Sequence, residues 1–123
     1  MKLRIEGNSI RLRLGKSEVS GLAEAGKVCG STQFPQGVFR YALELSDMAK
    51  NLEAAVSSAG ITLQLPRAWG LEWPDIPRVG FENYIELKDK AQLHLLVEKD
   101  FVCLDRDPAI QLDQYPNPKS GTL

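Results

Sequence analysis

The chain is poor in the residues on which most small-protein chemistry is built. It holds one histidine, His94, and two cysteines, Cys29 and Cys103, in 123 residues. That leaves too few ligands for a multi-histidine or cysteine metal centre and too few thiols for a disulfide framework. Two reduced, mostly buried cysteines are expected instead. No apolar run approaches the ~20 residues that a membrane-spanning helix requires. The opening Met1-Lys2-Leu3-Arg4-Ile5-Glu6 has no hydrophobic signal region, so a cytoplasmic protein without a membrane partner is expected. There is little net charge either: the formal value is −1, which argues against nucleic acid held by phosphate contacts alone. The glycines form no phosphate loop, and neither a nucleophile-elbow motif nor a Ser-His-Asp spacing supports a hydrolase triad. The lone His94 is expected on a surface or barrel face. Nine residues of extended chain, roughly 30 Å, separate it from Cys103 and argue against a thiol–imidazole pair.

What is present is alternation. Leu3, Ile5, Ile10, Leu12 and Leu14 alternate with Lys2, Arg4, Glu6, Ser9, Arg11 and Arg13, the period of strands with one buried face. Gly7-Asn8 between them predicts a two-residue hairpin turn of type I′ or II′. From Gly15 to Gly26 the period changes to helical, with Val19, Leu22, Ala23 and Ala25 on one side and Gly26 as the stop. Two strands are expected around Phe34-Pro35-Gln36-Gly37, with Phe39, Tyr41, Leu43 and Leu45 sharing a face. Ser46 to Gly60 suits either a helix or a strand hairpin leading into Ile61, Leu63 and Leu65. A short helix then carries Trp69 and Trp73 over the core, and two closing strands follow, Val79 to Leu87 and Ala91 to Leu104. Residues 1–104 are thus expected to form one domain, with 105–123 a tail that is extended or docked only through Tyr115.

A weak internal repeat runs through this order. Ile10, Leu12 and Leu14 fall on Ile61, Leu63 and Leu65 at an offset of 51 residues, which also carries Lys16 onto Arg67, Leu22 onto Trp73 and Val28 onto Val79. The expected fold class is accordingly α+β. It is β-rich and mostly antiparallel, a duplicated ββαββ unit (residues 1–45 and 52–104) forming a strongly curved sheet or barrel of about eight strands with two short helices. The repeat favours the strand reading of Leu52 to Ser57.

Several stretches together carry a resemblance. Lys2-Leu3-Arg4-Ile5, Gly7-Asn8-Ser9-Ile10-Arg11-Leu12-Arg13-Leu14, Ser17-Glu18-Val19, Tyr41-Ala42-Leu43-Glu44, Ile61-Thr62-Leu63, Val97-Glu98-Lys99-Asp100-Phe101, Cys103-Leu104 and Pro116-Asn117-Pro118 occur in that order. In these the chain resembles a small bacterial family of unknown function over nearly its whole length. The resemblance implies a strand hairpin around Leu52 to Leu65, and it implies no activity, cofactor or catalytic residue. Gly15 stands where that family usually starts its helix with Thr, which weakens the cap but keeps Glu18.

The opening hairpin poses the chemical question. A two-residue loop sets Lys2 opposite Arg13 and Arg4 opposite Arg11, like-charge pairs that destabilise by about 0.2–1 kcal/mol each. Acids on neighbouring strands (Glu44, Glu98 or Asp100) would neutralise them, and Glu98-Lys99-Asp100 itself looks like a bulge or solvent-facing rim. Alternatively an anionic ligand or an acidic protein surface meets the arginine forks. The candidate ligand-binding residues are Lys2, Arg4, Arg11, Arg13, Glu44 and Glu98, with no catalytic or metal-binding residue and no cofactor. The expected function is a non-catalytic binding or protein-interaction module. The alternative is an anion- or phosphate-compound-binding barrel with metal-dependent phosphohydrolase activity. It follows a fold-level similarity to triphosphate-tunnel barrels, although their Glu-x-Glu-x-Lys start is missing.

Overall fold

A computed structural model describes residues 1–101 and 113–116. Cys103, the end of the last expected strand, most of the 105–123 tail and Asn117-Pro118 lie outside the described residues. Eight strands and two short helices follow one another: β1 (Lys2–Glu6), β2 (Ser9–Leu14), α1 (Lys16–Ala25), β3 (Lys27–Phe34), β4 (Gly37–Ser46), β5 (Glu53–Ser57), β6 (Gly60–Pro66), α2 (Arg67–Glu72), β7 (Gly80–Glu86) and β8 (Gln92–Lys99). A 3₁₀ turn, Trp73–Asp75, extends α2.

The strands assemble into two four-stranded sheets, in the orders β1-β2-β8-β7 and β3-β4-β6-β5. Each sheet is made of two antiparallel hairpins joined by a parallel central pair, β2 with β8 and β4 with β6. Both sheets are therefore mixed, and among the described residues they do not close into a barrel. The Ser46 to Gly60 ambiguity resolves as β5, whose Glu53–Ser57 pairs antiparallel with β6.

Alternation decides which side of each strand meets the core. Leu12, Leu14, Phe81, Leu95 and Val97 of the first sheet join Leu43, Leu45, Leu63 and Leu65 of the second, with Val19, Leu22, Leu52 and Trp73, in one buried cluster. Each such side chain contributes about 1.5–3 kcal/mol when fully withdrawn from water. Trp69 stacks on Phe81 with ring centroids 5.5 Å apart, and Trp73 meets the same ring edge-on, so both tryptophans serve the core as expected. No helix among the described residues is long and apolar enough to cross a membrane.

Two local details show how polar groups terminate these elements. Gly7 takes φ 54° while Asn8 keeps a negative φ, the pattern of a type II′ turn. Gly15 offers α1 no side-chain cap. Glu18 accepts a hydrogen bond from the Gly15 amide at 3.0 Å. Asp113, distant in sequence, accepts from the Lys16 amide at its backbone carbonyl, 2.7 Å, and its carboxylate accepts from the Ser17 amide at 3.0 Å and the Ser17 hydroxyl at 2.6 Å. A carboxylate at that helix terminus meets free amides and the positive end of the helix dipole. The two Ser17 hydrogen bonds hold the Asp113 carboxyl below the usual carboxylate range.

Candidate functional site: the outer face of the first sheet

The pairing register arranges the outward side chains of the first sheet in rows. Lys2, Arg13, Glu98 and Gly80 form one row, Arg4, Arg11, Leu96 and Glu82 the next, and Glu6, Ser9, His94 and Tyr84 the third. The like-charge pairs expected from the hairpin are present, Lys2 opposite Arg13 and Arg4 opposite Arg11. Four cations therefore share the face with the acids that β8 brings beside them.

Glu98 is the centre of this arrangement. Its Oε1 accepts from Arg11 Nε at 2.7 Å and from Arg13 Nε at 2.9 Å, and Arg11 Nη2 also contacts it. Lys2 Nζ lies 2.8 Å from Asp100 Oδ2, whose carboxyl also accepts from Gln114 at 2.8 Å. Arg4 meets Glu6 only through Nη2 at 3.3 Å, with both side chains exposed. An exposed pair of that kind contributes about 0–1 kcal/mol, little enough for a ligand to displace. Glu44 does not join the group: it lies on β4 in the second sheet, where Gln64 donates to it at 2.9 Å and Lys27 stands 3.9 Å away. Lys2, Arg4, Arg11, Arg13 and Glu98 are brought together, and Glu44 is separate because β4 pairs with β6, not with β2.

The end of β8 departs from the expected solvent-facing rim. Lys99 and Asp100 are 5% and 7% exposed. Alternation turns Lys99 inward, where its ammonium donates to the Ile76 carbonyl at 2.7 Å and lies 4.9 Å from the centre of the Tyr115 ring. Burial pushes its pKa below the usual lysine range. Burial alone would push the Asp100 carboxyl up. Hydrogen bonds from Lys2 and Gln114, with the charges of Lys2 and Arg13, outweigh it and hold the carboxyl below the usual range. Tyr115 docks here too, its amide donating to the Asp100 carbonyl at 2.8 Å.

His94 lies on the sheet face, as expected of a lone strand histidine, but it is tied to two other strands. Its Nδ1 is 2.8 Å from Ser9 Oγ, its Nε2 is 2.7 Å from Glu82 Oε2, and the Tyr84 ring stacks on it with centroids 4.5 Å apart. A pocket of about 170 Å³ opens beside them, lined by Arg4, Glu6, Ser9, Arg11, His94 and Leu96. The sequence signals none of this, because Ser9, Glu82 and His94 belong to three strands, and Ser9 joins the other two only through the parallel β2–β8 pairing, Glu82 and His94 lying on the antiparallel pair β7–β8. Among the described residues no group of three or more His, Cys, Asp or Glu side chains is placed to hold a metal ion.

One protein-family model matches the chain over residues 1–119, and its description is Family of unknown function (DUF7009). No curated protein and no solved structure matches the chain.

Proposed function

The chain belongs to the DUF7009 family, and we propose that this member is a small binding module. Its ligand is a small anion, carboxylate or phosphate, received on the outer face of the first sheet. The observation that carries this reading is the Arg4–Arg11 cross-strand pair at the wall of the 170 Å³ pocket that also exposes Ser9 and His94. Arg4 is held there only by an exposed carboxylate. Guanidinium groups offer planar, charged donors that match carboxylate and phosphate oxygens. A small concave pocket favours a small anion over a broad acidic protein surface. The metal-dependent phosphohydrolase alternative has less behind it, since it needs Glu6, Glu44, Glu98 and Asp100 to converge and Glu44 lies on the other sheet.

The second sheet supports the reading as an internal control. At the register positions of Arg4, Arg11 and Arg13 it carries Ala55, Thr62 and Gln64. The same pairing pattern is thus built without the cations, so the scaffold does not require them. We further infer that residues 1–45 and 52–104 descend from one duplicated ββαββ unit. The pairing of each half's first hairpin with the other half's last supports that inference. A reducing cytoplasmic setting suits the exposed, unbridged Cys29.

The test is thermal unfolding of the full chain in inorganic phosphate and in sodium succinate, against sodium chloride of equal ionic strength. A ligand that binds only the folded state raises its stability by RT ln(1 + [L]/Kd), about 2.7 kcal/mol at a hundredfold excess over Kd. Stabilisation that Arg4→Ala and Arg11→Ala both remove supports the proposal. Identical melting in all three salts overturns it.

A further inference from the structure

The anion pocket contains a three-residue chain that simple anion binding does not use. Glu82 as a carboxylate only accepts, so the 2.7 Å contact assigns the imidazole proton to His94 Nε2. In the neutral imidazole Nδ1 then carries the lone pair, and Ser9 Oγ, 2.8 Å away, is placed to donate its proton to it. The stacked Tyr84 ring and the Glu82 carboxylate together restrain the imidazole plane. This is the nucleophile–base–orienter order of an acyl-transfer site, with the two imidazole nitrogens exchanged relative to the familiar serine proteases.

The second sheet again shows what the fold alone demands. At the positions of Ser9, His94 and Glu82 it carries Gly60, Arg40 and Cys29. No such relay exists there, although the pairing register is the same. Ser9 Oγ also borders the 170 Å³ cationic pocket on the outer face, beside Arg4 and Arg11. A nucleophile there suits a substrate that carries an anionic group close to its reacting bond.

We propose that Ser9 is the nucleophile of an esterase site. Its substrates are esters whose short acyl group carries a carboxylate, held by Arg4 and Arg11. His94 is the general base and Glu82 its positioning residue. The proposal rests on the anion-pocket reading above. Ser9 Oγ attacks the ester carbonyl carbon, its proton passes to His94 Nδ1, and the carbonyl π pair moves onto oxygen beside the guanidinium groups. As the C–O bond to the alcohol breaks, His94 returns that proton to the leaving oxygen, and the acyl group remains on Ser9. Water then attacks the acyl-serine, His94 again carries the proton, and the dicarboxylic acid is released with Ser9 regenerated.

The experiment follows 4-nitrophenolate release from 4-nitrophenyl hemisuccinate and from the neutral 4-nitrophenyl acetate by the full-length protein, with intact-mass and peptide mapping of the acyl adduct. The expected result is succinylation mapped to Ser9 and hemisuccinate turnover at least tenfold above that of Ser9→Ala and His94→Asn. Glu82→Gln is expected to lower turnover while leaving the thermal stabilisation by succinate intact, which a merely structural role would not do. Ser9→Cys is expected to keep the adduct as a thioester. Absence of a Ser9 adduct on the wild-type chain, or Ser9→Ala turning over at the wild-type rate, overturns the proposal. Stabilisation by succinate without turnover refutes the esterase and leaves the anion site standing. Equal Ser9-dependent turnover of both esters upholds the nucleophile and refutes the anion pocket.

Discussion

The two sheets of this protein share a frame and differ in what they display. Row by row, β1-β2-β8-β7 and β5-β6-β4-β3 have the same pairing register, and both send leucines into one core. Outward, the first presents Lys2, Arg4, Arg11 and Arg13, with Ser9 and His94 in the next row. The second presents Glu53, Ala55, Thr62 and Gln64, with Gly60 and Arg40 in the corresponding row. One acid is common to both: Glu98 binds Arg11 and Arg13, and Glu44, at the same register position, binds Gln64. The inward residues are what folding needs, and the outward cations are an addition to it. Gly60 is an outward position where the backbone itself decides. Its φ of 152° suits glycine, and a Cβ there would strike the Arg40 backbone.

If the frames are equivalent, cutting the core on either side should cost alike. Leu12→Ala and Leu63→Ala are each expected to destabilise by about 2–5 kcal/mol in urea unfolding. A large cost on one side and none on the other would break the equivalence. The next largest effect should come from Glu98→Gln, which leaves two guanidinium groups without their shared carboxylate. We expect it to lose about 1–3 kcal/mol and to be stabilised more than wild type by added phosphate. Glu44→Gln should change neither by a comparable amount.

A pH experiment sharpens the contrast at the end of β8. The Asp100 carboxyl is depressed in the folded protein, so its stabilising contribution is present above the ordinary aspartate range, ~4, and is lost as pH falls through the lower folded value. Asp100→Asn should therefore be less stable than wild type at pH 6, and the two curves should converge as the pH falls through the folded-state value. The smallest effect is expected from Arg4→Ala, within about 0.5 kcal/mol in stability because its partner Glu6 is exposed, yet with loss of the response to phosphate.

Local chemistry made part of this legible in advance. Gly7-Asn8 and period-two alternation were enough to place Arg4 opposite Arg11 and Lys2 opposite Arg13, because a two-residue turn sets the register of its own hairpin. The offset of 51 residues pointed to β5 and β6 where helix propensity pointed the other way. The partners of the cations were not legible to the same degree. That Glu98 reaches Arg11 and Arg13 while Glu44 does not depends on the parallel pairing of β2 with β8, which joins segments about 85 residues apart and leaves no local trace. The approach of Ser9 to His94 escaped notice for the same reason. Lys99 and Asp100 misled because a charged triplet reads as a rim, whereas strand alternation sends Lys99 inward under Trp73 and Tyr115.

The most direct test of the contrast between the sheets is a titration of the ¹⁵N-labelled protein with succinate, followed by amide chemical shifts. We expect saturable changes that cluster at Arg4, Ser9, Arg11 and His94, with Ala55, Gly60, Thr62 and Arg40 unmoved. Changes that never saturate, or that spread equally over both sheets, would contradict a functional site on the first.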